Sequence, residues 1–551
     1  MIDVAEISGT GIGQGIAHGP VATMAAGLEP PSDAPSKRTP DEEKQAVAEA
    51  VSATAAELNA RGERAGGSAQ DVLEAQAMMA EDPTLEESVH DKIDAGATGE
   101  YAVHTAFAEF AEQLQELGGY LGERAADLAD VAQRVIAHLR GVSAPGVPEP
   151  GHPFVLVAND LAPADTALLD LDQVLAVVTT EGGPTSHTAI LAREKGIVAV
   201  VGTGATGLED DQIVIVDAEN DVVIIDPSEE QISEATARAD ARAAAQAAPI
   251  TPGALSDGTL VPLLANLGDP DGAAEAVELG AEGVGLFRTE FLFLSNDEAP
   301  SVESQKKSYV DLLAAFAGKK VVVRVLDAGA DKPLPFLTDE GEENPALGRR
   351  GIRALSFHED ILRDQLTALA QADAETDADL WVMAPMIATI DETEYFMNLA
   401  TELGLKTTGV MVEVPSAALL ADQILKVADF ASIGTNDLVQ YTMAADRLLG
   451  SVAHLQSPWH PAALRLIKAV ADGGQVNDKP VGVCGEAAAD PLLAVVLVGL
   501  GVTTLSMSPS ALADVRAELL KHTLQDAQRI AQAALDTGNA DGAKSAARAA
   551  A

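Results

Sequence analysis

The chain has 551 residues, of which 35 are Lys or Arg and 85 are Asp or Glu, so its formal net charge is −50. A charge this negative argues against nucleic acid or an anionic membrane as a partner. The length is too great for one hydrophobic core and predicts about two to four domains, and 47% hydrophobic residues are ample for packed cores. No apolar run approaches the roughly 18 residues of a membrane span.

The acidic residues are scattered over every segment, Ala is abundant, and aromatic residues make up only 3% of the chain. This composition is typical of salt-loving organisms, whose acidic surfaces need salt to screen their self-repulsion. An ordinary acidic cytoplasmic protein is the alternative. The N-terminus lacks a basic segment followed by an apolar one, so no signal peptide is predicted. A single cysteine, Cys484, excludes an internal disulfide and fits a reducing cytoplasm, the predicted location.

Short apolar stretches at the N-terminus precede a long helical block. Residues 1–28 are rich in Gly and predict one or two strands, and a proline-rich linker follows. From residue 41 to about 140, apolar residues recur at helical spacing, and Asp82-Pro83 predicts a helix that begins at Thr84. Four prolines between Val142 and Pro153 form a second linker.

Strand-like runs resume beyond the second linker. They are Phe154–Ala158, Val174–Thr180, Ile197–Val201, Ile213–Asp217 and Val222–Asp226. The helical block therefore interrupts an α/β domain that begins at residue 1 and resumes near 150. Ala-rich residues 228–248 predict a connecting helix.

One histidine of this α/β domain lies between a predicted strand and a predicted helix. The run Val174–Thr180 is broken by Gly182-Gly183-Pro184, and a helix is predicted from Ala189. A helix N-terminus offers free N–H groups and partial positive charge, which favour an anion. His187 is therefore a candidate carrier of a phosphoryl group on a ring nitrogen. A capped, purely structural histidine is the alternative.

From about residue 255, eight short apolar strands alternate with longer helical stretches, which is the pattern of a (β/α)8 TIM barrel. The predicted strands are Val261–Ala265, Val284–Phe287, Val321–Leu326, Trp381–Met386, Val410–Val414, Phe430–Ile433, Val481–Val483 and Thr504–Met507. TIM barrels carry their chemistry at the C-terminal ends of the strands.

Three arginines, Arg288, Arg324 and Arg447, lie after barrel strands and offer planar, charged forks to phosphate or carboxylate. In the alternative interpretation each pairs with a carboxylate near it in sequence, namely Glu290, Asp327 or Asp446. Three such arginines on one rim favour ligand binding.

Glu413 and Asp437 end adjacent strands, and one or two carboxylates with substrate oxygens and waters commonly hold Mg²⁺. Either residue alone could be a solvated loop acid. Asn436 can offer its amide to the same phosphate. Cys484 follows the seventh strand and is either a small buried hydrophobe or a proton donor, since no histidine lies nearby in sequence to activate it as a nucleophile. These residues together predict a barrel that binds a phosphorylated carboxylic acid, with phosphoryl transfer to the protein.

Seven motifs resemble the enzyme I family of the bacterial-type sugar phosphotransferase system, from residue 1 to about 520. They are GGPTSHTAI (Gly182–Ile190), GLFRTEF (Gly285–Phe291), RVLDAGADK (Arg324–Lys332), NPALG (Asn344–Gly348), MVEVP (Met411–Pro415), SIGTND (Ser432–Asp437) and VCGE (Val483–Glu486).

The resemblance implies that His187 takes the phosphoryl group of phosphoenolpyruvate and that Cys484 protonates the enolate to release pyruvate. The residues implied to hold the substrate are Arg288, Arg324, Arg447, Asn436 and Lys332. Those implied to hold Mg²⁺ are Glu413 and Asp437. It also implies transfer to the small carrier HPr, which docks on the helical insertion, and a homodimer formed through the barrels.

Together with the linkers, the resemblance predicts a multidomain α/β protein. Its expected parts are a swivelling phosphohistidine domain (1–31 and 143–228), an inserted helical bundle (32–142), a linker helix (229–253) and the TIM barrel (254–551). One departure is Arg349, which stands where the family usually has an aromatic residue after NPALG. It leaves open how that loop packs and whether a cation is added near the substrate.

Three rival functions share part of this pattern. Phosphoenolpyruvate synthase and pyruvate phosphate dikinase need an ATP-binding domain, and the helical block lacks strands and a Gly-rich phosphate loop. A non-catalytic phosphoenolpyruvate-binding regulator would not require His187, Cys484 and the barrel set intact. A metal-dependent C–C lyase of the pyruvate-binding barrel type leaves the histidine domain unexplained.

Overall fold

A computed structural model of the protein describes residues 6–13, 15–24, 28–65, 67–117, 119–142, 146–148, 150–161, 169–170, 172–183, 186, 188–189, 192, 196–204, 207–294, 298–328, 334–338, 341–447 and 449–551. The chain divides into two compact units. One consists of Met1–Ala192 and Ile197–Ala237, and the other of Arg193–Gly196 and Arg238–Ala551. None of the described helices is long and apolar enough to cross a membrane.

A mixed sheet organises the first unit. Its described strands are β1 (Glu6–Ser8), β2 (Thr10–Ile12), β3 (Ile16–Thr23), β4 (Phe154–Ala158), β5 (Val174–Thr179), β6 (Ala199–Val201), β7 (Ile213–Asp217) and β8 (Val222–Ile225). The spatial order is β1–β8–β7–β3–β4–β5–β6–β2, with β3 to β6 parallel and the outer pairs antiparallel. The central strands are buried and rich in Val, as expected for strands covered on both faces.

A helical segment interrupts this sheet between β3 and β4. Its described helices are α1 (Pro40–Ala65), α2 (Gly67–Ala80), α3 (Pro83–Asp94), α4 (Gly99–Leu117) and α5 (Gly119–Arg140). The predicted start of α3 is confirmed to within one residue, because the Asp82 side chain accepts hydrogen bonds from the backbone N–H groups of Thr84 and Leu85. Nevertheless β3 and β4 are paired neighbours, with Val21 opposite Val155. The helices share their own apolar core.

The second unit contains a closed parallel barrel, which confirms the predicted (β/α)8 fold. Its described strands are β9 (Leu263–Leu267), β10 (Val284–Phe287), β11 (Lys320–Arg324), β12 (Asp379–Ala384), β13 (Thr408–Val412), β14 (Ala431–Ile433), β15 (Val481–Val483) and β16 (Thr504–Met507). The barrel closes where β16 pairs with β9, with Leu505 opposite Leu263.

Helices follow the barrel strands and bury them against a large apolar core. After the connecting helix α6 (Glu229–Gln246), the described helices are α7 (Ala273–Glu278), α8 (Phe291–Leu294), α9 (Val302–Ala315), α10 (Ile352–Phe357), α11 (Glu359–Glu375), α12 (Ile390–Glu402), α13 (Pro415–Leu419), α14 (Ala421–Ile424), α15 (Thr435–Met443), α16 (Pro461–Asn477), α17 (Pro491–Gly499), α18 (Leu512–Leu519), α19 (Leu524–Leu535) and α20 (Ala540–Ala550). Short 3₁₀ turns lie at Pro270–Gly272, Pro345–Leu347, Gly450–Leu455, Glu486–Ala489 and Pro509–Ala511.

Several strand ends differ from the sequence-based expectation by one or two residues. The first barrel strand begins at Leu263 and not at Val261, because Pro262 has no N–H and the N–H of Val261 bonds to the carbonyl of Gly253 outside the barrel. Asn266 therefore lies within the strand, not after it. The N-terminal 28 residues also hold three described strands where one or two were predicted.

Candidate active site

Polar side chains collect at the rim where the parallel barrel strands end. They are Arg288, Thr289 and Glu290 after β10, Arg324 and Asp327 at and beyond the end of β11, Glu413 after β13, Asn436 and Asp437 after β14, and Cys484 after β15. Because β10 to β15 are parallel neighbours, their carboxyl ends meet at one rim. The structure thus brings together most of the barrel residues that were predicted from the sequence.

Arg324 is buried at this rim between two carboxylates. Its Nη2 donates to Glu290 Oε1 at 2.6 Å, and its Nη1 lies 3.1 Å from Asp327 Oδ2. Both acids are also buried, and a buried charge without a partner is costly. Arg324 therefore makes carboxylate pairs of the kind that the alternative interpretation predicted.

Arg350 continues this network. Its guanidinium donates to both oxygens of Asp327, at 3.1 and 3.0 Å, and to both oxygens of Asp437, at 2.8 and 3.1 Å. Arg447 reaches Asp437 from another side, with Nη1 3.4 Å from Oδ2. Burial alone would raise the pKa of Asp327, but Arg324 and Arg350 hold it at about 2. The result is a chain of alternating acids and arginines across the rim.

Glu413 lies beside this chain without an arginine partner of its own among the described hydrogen bonds. Its Oε1 accepts a 2.6 Å bond from the backbone N–H of Met386, whose φ of 59° is unusual for a residue other than Gly. Burial, together with repulsion from Asp437 and Asp327, raises the pKa of Glu413 to about 8, against the opposing attraction of Arg324. The carboxylate form of Glu413 is therefore poorly stabilised at this position.

The donor set fits a hard divalent cation. Two buried carboxylates that repel each other would be stabilised by a cation between them, and carboxylate oxygens are the ligands that Mg²⁺ prefers. Within the described parts of the chain, no three His, Cys, Asp or Glu side chains are grouped so as to hold a metal by themselves. Mg²⁺ at Glu413 and Asp437 would therefore complete its coordination with substrate oxygens and water.

Cys484 is buried inside the barrel among Leu286, Met383, Met411 and other apolar side chains. Its Sγ lies 3.5 Å from the carbonyl oxygen of Ile433. Burial raises the pKa of the thiol to about 11, so it is protonated at neutral pH. A protonated thiol can act as an acid, whereas a nucleophile needs the thiolate.

The loop after Cys484 packs closely against the loop that carries Asn436. A Cβ atom on Gly485 would overlap the hydroxyl of Thr435, so only Gly fits there. Asn436 Oδ1 also accepts a weak 3.4 Å bond from the N–H of Glu486. These contacts hold the loop of the predicted amide donor, Asn436, close to the loop that follows the predicted acid, Cys484.

The remaining predicted barrel residues have varied positions. Arg288 is exposed at the rim, and Lys332 lies outside the described residues. The guanidinium of Arg349 stacks over the ring of Phe357, 4.4 Å from its centroid. The position where the family usually has an aromatic residue is thus occupied by an arginine that packs on one.

His187 also lies outside the described residues, whereas Thr188, the residue after it, is described. The hydroxyl of Thr188 donates to Asp160 Oδ1 at 2.6 Å, and the N–H of Leu161 donates to the Thr188 hydroxyl at 3.0 Å. Thr188 is almost fully buried. The residue after His187 is thus tied to the segment that follows β4.

Sequence reasoning missed Arg350 and Asp160 as site residues. Arg350 follows the NPALG motif directly, but nothing in a single sequence shows that it reaches two carboxylates on other loops. Asp160 follows a buried strand, which is a signal that could have selected it.

Three family models match the chain. They are described as the N-terminal part of phosphoenolpyruvate-utilising enzymes, over residues 8–124, the mobile domain, over 150–221, and the phosphoenolpyruvate-binding domain, over 242–524. The third match contains every barrel residue of the rim.

Full-length relatives are also similar. A phosphoenolpyruvate-protein phosphotransferase of Streptomyces coelicolor is 52% identical over 547 residues, which cover 98% of both chains. Proteins with the same name from Haloferax volcanii and Bacillus subtilis are 41% and 39% identical, over 86% and 95% of each chain.

Proposed function

Because this chain belongs to the family of phosphoenolpyruvate–protein phosphotransferases, we propose that it transfers the phosphoryl group of phosphoenolpyruvate to its own His187 and then to a histidine of the carrier HPr. The first transfer releases pyruvate, and the second is the entry step of phosphotransferase-dependent sugar uptake. The observation that carries the proposal is the rim itself, where arginines, paired carboxylates and a protonated thiol meet at one end of the barrel.

The arginines hold the substrate in this proposal. Arg288, Arg324 and Arg447 neutralise the phosphate and carboxylate oxygens, with Asn436 and Lys332 as further donors. Phosphoryl transfer gains mostly from positioning and charge neutralisation, which is what such a set supplies. Since Arg324 pairs with Asp327 and Arg447 pairs with Asp437, substrate oxygens would share these guanidinium groups with the acids.

Glu413 and Asp437 would hold Mg²⁺, which supplies further neutralisation of the substrate oxygens when it is bound. Arg350 already orients Asp437 through hydrogen bonds to both of its carboxylate oxygens. The protein therefore offers one carboxylate that arginines have pre-oriented and one, Glu413, whose ionised form a bound cation would stabilise.

The transfer exchanges one bond to phosphorus for another. A ring nitrogen of His187 attacks phosphorus, the bond from phosphorus to the enol oxygen breaks, and the enolate of pyruvate remains in the barrel. The thiol of Cys484 donates its proton to the terminal carbon of the enolate, which gives pyruvate. The resulting thiolate regains a proton from water, because its pKa of about 11 favours the protonated form.

The second transfer, from His187 to HPr, would depend on the first unit. HPr would dock on the inserted helices within 32–142. The phosphohistidine domain (1–31 and 143–228) would swivel on the 229–253 linker, which contains α6, between the barrel (254–551) and the carrier. A cytoplasmic homodimer formed through the barrels completes this proposal. The family assignment argues against a non-catalytic regulator and a dikinase-type enzyme.

A labelling experiment tests the proposal. Phosphoenolpyruvate labelled in the phosphoryl group should, with Mg²⁺, give acid-labile and base-stable protein phosphate that purified HPr discharges. His187→Ala should abolish the label, and ATP should not replace the donor. Label that persists in His187→Ala would refute the assignment of the acceptor.

A further inference from the structure

A fully buried amide lies directly behind the two loops that carry the rim arginines. Gln365 is on α11, and its side chain is completely inaccessible to solvent. Burying an amide is unfavourable unless its donors and acceptor are all paired. The hydrogen bonds of this residue are therefore informative, because they specify what the amide is held against.

Three hydrogen bonds satisfy Gln365. Its Oε1 accepts from the backbone N–H of Leu326 at 2.9 Å, and its Nε2 donates to the hydroxyls of Thr289 and Tyr309, both at 3.1 Å. The Thr289 hydroxyl in turn donates to the carbonyl of Arg324 at 3.0 Å. One side chain thus binds the loop after β10 and the loop after β11 at the same time.

The bonded groups are immediate neighbours of the rim charges. Thr289 stands between Arg288 and Glu290, and Leu326 stands between Arg324 and Asp327. A shift of either loop would move its arginine relative to the other. Catalytic groups must be held to within about 0.5 Å by the residues that support them, so this connection fixes a distance that the reaction depends on.

We propose that Gln365 is a positioning residue for phosphoenolpyruvate: it acts through Thr289 and Leu326 to hold Arg288 and Arg324 at the spacing that the substrate requires. The inference rests on the proposed function. It predicts that losing the amide impairs phosphoryl transfer from phosphoenolpyruvate, which uses the barrel, and spares transfer from phosphorylated HPr. A general loss of stability would not distinguish the two transfers.

The test compares two routes to the same phosphohistidine. In Gln365→Met, which keeps the length of the side chain and removes its hydrogen bonds, kcat/KM for phosphoenolpyruvate should fall about 10- to 100-fold. Labelling of His187 from phosphorylated HPr, which does not use the barrel, should keep the wild-type rate. Equal losses by both routes, or no loss by either, would overturn the inference.

A matched control lies on the neighbouring helix. Gln305 on α9 is also a buried amide, but it bonds to the Pro300 carbonyl and the Tyr309 hydroxyl and to neither arginine loop. Gln305→Met should therefore leave kcat/KM for phosphoenolpyruvate unchanged. A loss in Gln305→Met equal to that in Gln365→Met would overturn the inference.

A conservative pair covers the case in which Gln365→Met does not fold. Thr289→Val removes the hydroxyl that links Gln365 to Arg324, and Thr289→Ser retains it. The Val variant should show the selective loss and the Ser variant should approach wild type; identical behaviour of the two contradicts the inference. A wild-type protein that phosphoenolpyruvate fails to label would overturn the proposed function itself, a result separate from any difference between variants.

Discussion

At the residue scale, the environment of Cys484 determines which chemistry its thiol can perform. The side chain is buried inside the barrel, and its raised pKa keeps the proton on sulfur over the physiological range. A thiol in this state is a poor nucleophile and a usable acid. The sequence alone left the choice between hydrophobe and acid open, because it gives no information on burial.

We expect Cys484→Ala to lower the rate of pyruvate formation by about 10²- to 10³-fold, since general acid catalysis contributes that much, while phosphoenolpyruvate still binds. A coupled pyruvate assay and a binding titration measure the two effects. Because the pKa of the thiol is about 11, the wild-type rate should not decline through deprotonation of Cys484 between pH 6 and 9. Unchanged turnover in Cys484→Ala would remove its role as proton donor.

Two adjacent arginines, Arg349 and Arg350, should contribute very differently to stability. Arg350 pairs with Asp327 and Asp437, whereas Arg349 stacks on the exposed ring of Phe357. Arg350→Met should lower the free energy of unfolding of the barrel by about 3 kcal/mol, because it leaves buried carboxylates without their partner. Arg349→Met should cost only about 0.5–1 kcal/mol.

Urea denaturation followed by tryptophan fluorescence can measure this difference. Both tryptophans of the chain, Trp381 and Trp459, belong to the second unit, so the signal reports on the barrel. Equal losses in the two variants would mean that the hydrogen bonds of Arg350 contribute little.

At the element scale, the segment after β4 and the residue after His187 are held together by one hydroxyl. Thr188→Val removes the bonds to Asp160 and Leu161 and should slow labelling of His187 about tenfold from both phosphoenolpyruvate and phosphorylated HPr. Thr188→Ser should retain the wild-type rates. A loss confined to the phosphoenolpyruvate route would contradict a role in anchoring the loop.

The periodicity of the sequence predicted the elements better than it predicted their contacts. All eight barrel strands were found from apolar runs, and only ends such as that at Pro262 moved by about two residues. The Arg350 bridge and the Gln365 amide were not found, because both connect loops far apart in sequence. Local pattern carries no information on which distant side chains a closed barrel brings together.

At the scale of the whole molecule, the net charge of −50 is the dominant property. Self-repulsion between surface carboxylates destabilises the folded state, and the Debye length falls from about 10 Å at 0.1 M salt to about 3 Å at 1 M. We therefore expect the Tm to rise as KCl increases over this range. Calorimetry in KCl and in sucrose of equal osmolality separates screening from osmotic stabilisation; maximal stability at low salt would contradict the halophilic interpretation.

The pairing of β3 with β4 also constrains the order in which the chain assembles during synthesis. β3 leaves the ribosome before all five described helices, and β1 pairs with β8, so the sheet is complete only after Ile225 has been made. The helices make their contacts over shorter separations, and local contacts form faster. During translation the N-terminal strands therefore stay unpaired while the inserted helices fold. The barrel closes only when β16 has been made and pairs with β9. Each unit thus carries an unpaired strand edge until its last strand has been made.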